Sequence, residues 1–89
     1  MPQKYSDENL NNFYIQIGKN VKKAREEQKI SQLELSNRLG YKSVSVISKA
    51  ELCIENRHFT LDHLYRISKE LNIDIFQLIK TDHFKGLNL

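Results

Sequence analysis

Proline occurs once in this chain, at Pro2, and glycine only at Gly18, Gly40 and Gly86. With so few breakers, the interior reads as helices joined by short turns. Cysteine also occurs once, at Cys53, so no internal disulfide can form, which fits a reducing cytoplasm. A lone cysteine of this kind is expected to be a half-buried packing residue rather than a nucleophile. No apolar run approaches the ~20 residues that a membrane span requires. The polar first twelve residues lack the apolar stretch of a secretory signal, so a cytoplasmic location is expected. Internal repeats and low-complexity tracts are absent too. Catalytic signatures are equally scarce. The chain holds no Ser/His/Asp cluster, no glycine-rich phosphate loop and no paired carboxylates with an evident pocket, and a domain this thin has little space for an active site. His58, His63 and His83 fall in no common zinc-ligand spacing with Cys53. The expectation is therefore a protein without enzymatic activity, metal or cofactor.

What is present is a basic chain of one domain. The 89 residues carry a formal net charge of +3 with a hydrophobic fraction of 39%, enough apolar content for a small folded core. The placement of charge says more than its sum. Between positions 37 and 50 the ionisable residues are Arg38, Lys42 and Lys49, with no acid among them, and Lys19, Lys22 and Lys23 form a second basic group. Such a distribution is a pointer to nucleic acid, although solvated helix faces alone would also produce it.

Helical spacing of Phe13, Ile17, Val21 and Ala24 predicts a first helix over about residues 12–28. Ser31 is a good N-cap, and Glu34 three residues later offers a capping box, so a second helix is expected from Gln32 to Leu39, stopped by Gly40. Ser43 is the N-cap candidate of a third helix carrying Val46, Ile47 and Ala50 and ending near Cys53. Residues 55–59 read as a polar loop. Thr60 caps a fourth helix with Leu61, Leu64, Ile67, Ser68 and Leu71 as its stripe, and Asn72 ends it. Asp74 caps a short fifth helix containing Ile75, Phe76, Leu78 and Ile79. The reading is thus all-α, a domain over residues 13–80 between a flexible arm (1–12) and a tail (81–89). Helices two and three, joined through a glycine and a short turn, form a helix-turn-helix unit. That unit needs a small residue in mid helix two, supplied by Ser36, a sharp bend at Gly40, and an apolar plug on helix three, supplied by Ile47.

These residues resemble the Cro/lambda-repressor type of helix-turn-helix, also called the xenobiotic-response-element family. The resemblance spans roughly residues 17–79. Its matching pieces are IGKNVKKAREEQKISQLELSNRLG, then ISKAE, then TLDHLYRISKELNI followed by IFQLI. The chain departs from the family pattern in three places. The turn between Gly40 and Ile47 is one residue longer. The stretch between Glu51 and Thr60 is also longer and has LCIENRHF where the family has a glycine. Ser36 replaces the usual alanine.

The resemblance implies a five-helix lambda-repressor-like fold and a double-stranded-DNA-binding transcriptional regulator: a phage-type repressor, a controller of a restriction–modification operon, or a similar switch. Helix three then enters the major groove. The expected base-contacting residues are Ser43, Val44, Ser45, Ser48 and Lys49, with Lys49 suited to guanine acceptors and Val44 to a thymine methyl. The expected phosphate contacts are Gln32, Lys42, Asn56, Arg57 and Thr60, the last near a helix N-terminus that favours an anion. Arg38 and Lys19 are weaker candidates. Arg25 and Glu51 match a pair that is salt-bridged in the family. Two-fold symmetry and surplus apolar residues in Ile75, Phe76, Ile79, Phe84, Leu87 and Leu89 point to a homodimer on a palindrome. The alternative is an antitoxin-type module whose partner is a toxin.

Overall fold

The computed structural model describes residues 7–81. Among these residues there are five helices and no strand: α1 (Asp7–Glu27), α2 (Gln32–Leu39), α3 (Ser45–Leu52), α4 (Leu61–Leu71) and α5 (Phe76–Ile79). α1 packs on α3 and α5, while α2 packs on α3 and α4.

The helix boundaries follow from their caps. The Ser31 hydroxyl accepts from the Glu34 amide and starts α2. Gly40, at φ 76°, closes it by turning its N–H and that of Tyr41 back onto the α2 carbonyls. The reciprocal half of the expected capping box is missing, because the Glu34 carboxylate accepts from Arg38 one turn on. A complete box stands instead at α4. There the Thr60 hydroxyl accepts from the His63 amide, and His63 Nδ1 accepts from the Thr60 amide. The carboxylate of Asp74 accepts from the Phe76 amide at the entry to α5.

α1 begins earlier than its sequence boundary. Residues 7–12, expected in a flexible arm, form its first turns. Two acids, Asp7 and Glu8, complement the positive end of the helix there. Nearly two turns further on, Tyr14 stacks on His58, with ring centroids 3.8 Å apart. Residues 1–6 of that arm, and 82–89 of the tail, lie outside the described residues.

The core is one cluster built from Ile17, Val21, Ile30, Leu35, Ile47, Ala50, Phe59, Leu64, Ile67, Leu71 and Leu78. Ile30 and Phe59 sit in connections, where periodicity gives no signal, yet both are buried. They plug the openings between helices too short to close over the core alone. Two close approaches set the position of α3. A Cβ built on Gly18 would lie 2.5 Å from the Glu51 carbonyl oxygen, so α1 crosses the backbone of α3 where only glycine fits. On the other side Ser36, 1% exposed, donates from its hydroxyl to the Ser43 carbonyl and holds the turn against α2. Side chains of α1 and the link after it also cap other elements. Gln28 donates to the Leu71 carbonyl, and Asn20 donates to those of Leu78 and Lys80. No helix among the described residues is long and apolar enough to cross a membrane.

Candidate nucleic-acid interface

α3 has two faces of different character. Ile47, Ala50 and Glu51 point inward and are buried. Ser45 and Lys49, one turn apart, lie on the opposite side, flanked by Ser48 and by an exposed Leu52. Val44, 36% exposed, stands at the N-terminal edge of this face. Val44 directly precedes the helix, but its side chain has nothing to accept a hydrogen bond. The hydroxyl of Ser43, one residue earlier, takes that part, accepting from the Ser45 amide and lying 2.8 Å from the Ser45 hydroxyl. Both serine hydroxyls therefore already have local partners. Lys42 is exposed in the turn before them and forms no ion pair among the described residues.

The position of this face is fixed by a buried ionic node. Arg25 Nε and Nη2 donate to the two Glu51 carboxylate oxygens at 2.8 and 3.0 Å. The third guanidinium nitrogen, Nη1, donates to the Ile30 carbonyl. Gln32 Nε2 then donates to Glu51 Oε1 at 2.9 Å. The node therefore ties α1, the α1–α2 link and the start of α2 to the end of α3. Its side chains are almost dry, 8% exposed for Arg25 and 1% for Glu51. The hydrogen-bonded Glu51 carboxylate pushes the Arg25 pKa above its ordinary value despite burial, which acts the other way. Gln32, a phosphate candidate in the sequence, thus spends its amide nitrogen inside the node.

The remaining candidates lie in the α3–α4 connection. Asn56, Arg57 and Thr60 are exposed, and Arg57 has no ion-pair partner among the described residues. Arg57 donates its backbone N–H to Ile54, closing a tight turn in which Glu55 and Asn56 both adopt positive φ. Sequence reasoning missed one member of this site. Glu55 pairs with Lys49, so the basic stretch that is free of acid along the chain is not free of it in space. The pairing pulls the Glu55 carboxyl below its usual range. Chain order hid this contact, because the left-handed Cys53 that ends α3, with the Ile54 N–H on the Lys49 carbonyl, is what turns the chain back toward Lys49. Of the weaker candidates, Arg38 is paired with Glu34, and Lys19 is exposed on α1.

His63 contributes a capping acceptor, and burial holds its pKa below the ordinary value. Its ring meets Tyr41 and Phe59 edge-on. The Tyr41 hydroxyl is buried without a hydrogen-bond partner among the described residues, and desolvation raises its pKa. Cys53 is half-buried at the C-terminal cap of α3, with its thiol pKa raised by desolvation. No group of three or more metal-ligating side chains occurs among the described residues. Among the expected dimer residues, Phe76 is 45% exposed, while Ile75 and Ile79 are partly buried against the core. Phe84 and Leu87 lie outside the described residues.

A short helix held across a second one through a glycine turn, with a polar and basic outer face, defines a helix-turn-helix DNA-binding module. The helix-turn-helix family model matches residues 21–78, well over half of the chain. The chain belongs to this family, of the Cro/lambda-repressor type, whose members are DNA-binding regulators of transcription. No curated protein and no solved structure matches it.

Proposed function

We propose that this protein is a transcriptional regulator, of repressor or controller type, that binds a palindromic DNA operator as a homodimer in the cytoplasm. The observation that carries this reading is the outer face of α3, where Val44, Ser45, Ser48 and Lys49 lie together over a helix whose inner face is locked in the core. α3 enters the major groove with its N-terminal residues at base edges. Lys49 donates to guanine acceptors, and Val44 meets a thymine methyl. Lys42 in the turn and Arg57 with Asn56 beside the N-terminus of α4 hold phosphates on either side, where Thr60 opens the helix. Gln32 reaches a phosphate from the start of α2 through its main-chain N–H or the second hydrogen of Nε2, the first staying with Glu51. Ser43 serves chiefly as the cap that keeps the first turn of α3 in place.

One such module reads only a few base pairs, and two related by a two-fold axis read a palindrome. The exposed Phe76 on α5, next to Ile75 and Ile79, supports a dimer contact there.

Fluorescence anisotropy on promoter and random DNA tests the assignment of roles. Lys49→Ala is expected to reduce discrimination by about 1–3 kcal/mol at one base position, whereas Arg57→Ala weakens binding to every sequence and lowers the salt slope by about one. If neither substitution alters binding, the interface is elsewhere.

A further inference from the structure

We infer that Glu55 is a specificity-determining residue that restrains Lys49 on the DNA-reading face. The inference rests on the proposed reading of α3.

Three observations lead to it. First, Glu55 pairs directly with Lys49, the one cation on the outer face of α3. Second, it does so from an unfavourable backbone. Glu55 has φ 55° and Asn56 φ 57°, in a turn closed by the Arg57 N–H on the Ile54 carbonyl at 3.0 Å. Consecutive left-handed residues are the province of Asn, Asp and Gly, and a glutamate there is strained. Strain of this kind persists where something else over-determines the conformation, and it is concentrated at functional positions. Third, the turn is anchored on both sides. The Ile54 amide donates to the Lys49 carbonyl, and the His58 ring after it stacks on Tyr14. The backbone that carries the carboxylate is therefore anchored beside the reading face, while the Glu55 side chain itself is 62% exposed.

The physical consequence concerns non-specific binding. Such binding draws on every lysine charge near the phosphates. A carboxylate paired with Lys49 offsets part of that contribution, because on most sequences the ammonium meets no aligned guanine and gains only the diffuse phosphate field, which the Glu55 charge opposes. At the operator, a guanine edge accepts from the Lys49 ammonium in good geometry and exchanges for Glu55. The acid thus weakens binding to wrong sequences more than to the right one, which is how a repulsive element gives specificity.

The test uses the full chain, its selected DNA site and a random duplex of equal length, with Glu55→Gln and Glu55→Asn as variants. Asparagine suits the left-handed backbone and lacks charge, so Glu55→Asn should melt no lower than the parent. Both variants are expected to bind random DNA about three- to fivefold more tightly at ~50 mM salt, with a steeper salt slope, and the selected site less than about twofold more tightly. In a Lys49→Ala background the same substitutions should change random-DNA affinity by less than about 1.5-fold, since no restrained ammonium remains to be released. An unchanged ratio of site to random affinity, or an equal effect without Lys49, overturns the inference while leaving DNA binding intact. A parent protein that prefers no sequence overturns the proposed function, and this inference with it.

Discussion

Replacing Glu51 with alanine should be among the most damaging single changes in the molecule. The Glu51 carboxylate accepts from Arg25 Nε and Nη2 and from Gln32 Nε2, and its side chain is 1% exposed. Truncation leaves the Arg25 guanidinium in the core with only the Ile30 carbonyl as a partner. Breaking a buried pair from one side costs about 3–5 kcal/mol, against ~0–1 kcal/mol for a surface pair. A domain of this length is stable by about 4–13 kcal/mol, so the loss is a large part of the total. In thermal unfolding followed by circular dichroism, the midpoint should fall by at least about 12 °C. The double replacement Arg25→Met with Glu51→Leu removes both charges and fills similar space. It should recover much of the loss, because the penalty lies in the stranded charge rather than in the missing attraction. A Glu51→Ala loss below about 1 kcal/mol, or a double variant as unstable as the sum of the singles, would rule out a stranded charge as the cause.

Other substitutions probe separate parts of the structure. Gly18→Ala brings a methyl to 2.5 Å from the Glu51 carbonyl oxygen, so urea unfolding should show a loss of about 1–3 kcal/mol, despite the ~1 kcal/mol that alanine gains in a helix interior. Thr60→Ala removes the α4 cap and should lower stability by about 1 kcal/mol in the same assay. Protonation of His63 removes the Nδ1 acceptor of the capping box. Because its folded pKa lies below the ordinary 6.5, the neutral ring favours folding. That contribution is fully present above pH 6.5 and is lost as pH falls through 6.5 to the depressed folded value. His63→Gln keeps a capping acceptor and should flatten the stability profile between about pH 7.5 and 5.5, and an unchanged profile would remove His63 as its source.

Much of this architecture is legible in the chain because helix caps are local. Ser31, Gly40, Thr60, Asn72 and Asp74 each mark a boundary through a side-chain oxygen or a left-handed backbone, and the structure uses all five. What escapes local reading depends on tertiary contact. The first turns of α1 are polar in sequence and gain their support from the stack of Tyr14 on His58, a residue far along the chain. Phe59 and Ile30 are core residues without helical periodicity around them. Gly18 carries a signal of its own, since a glycine within a helical pattern suggests a close approach of another backbone. Lys49 is the instructive case for the interface. Its position on the outer face follows from α3 periodicity, but its partner Glu55 arrives through a left-handed C-cap at Cys53 that no pattern in the sequence announces.

If α3 reads DNA from a two-fold symmetric pair of these domains, the DNA itself must carry the same symmetry. Selection of bound sequences from a random duplex pool measures this. Enrichment of a palindrome whose half-sites lie about 34 Å apart, one helical turn centre to centre, is the expected result. A pool that stays random, or an enriched site with no internal symmetry, would contradict it.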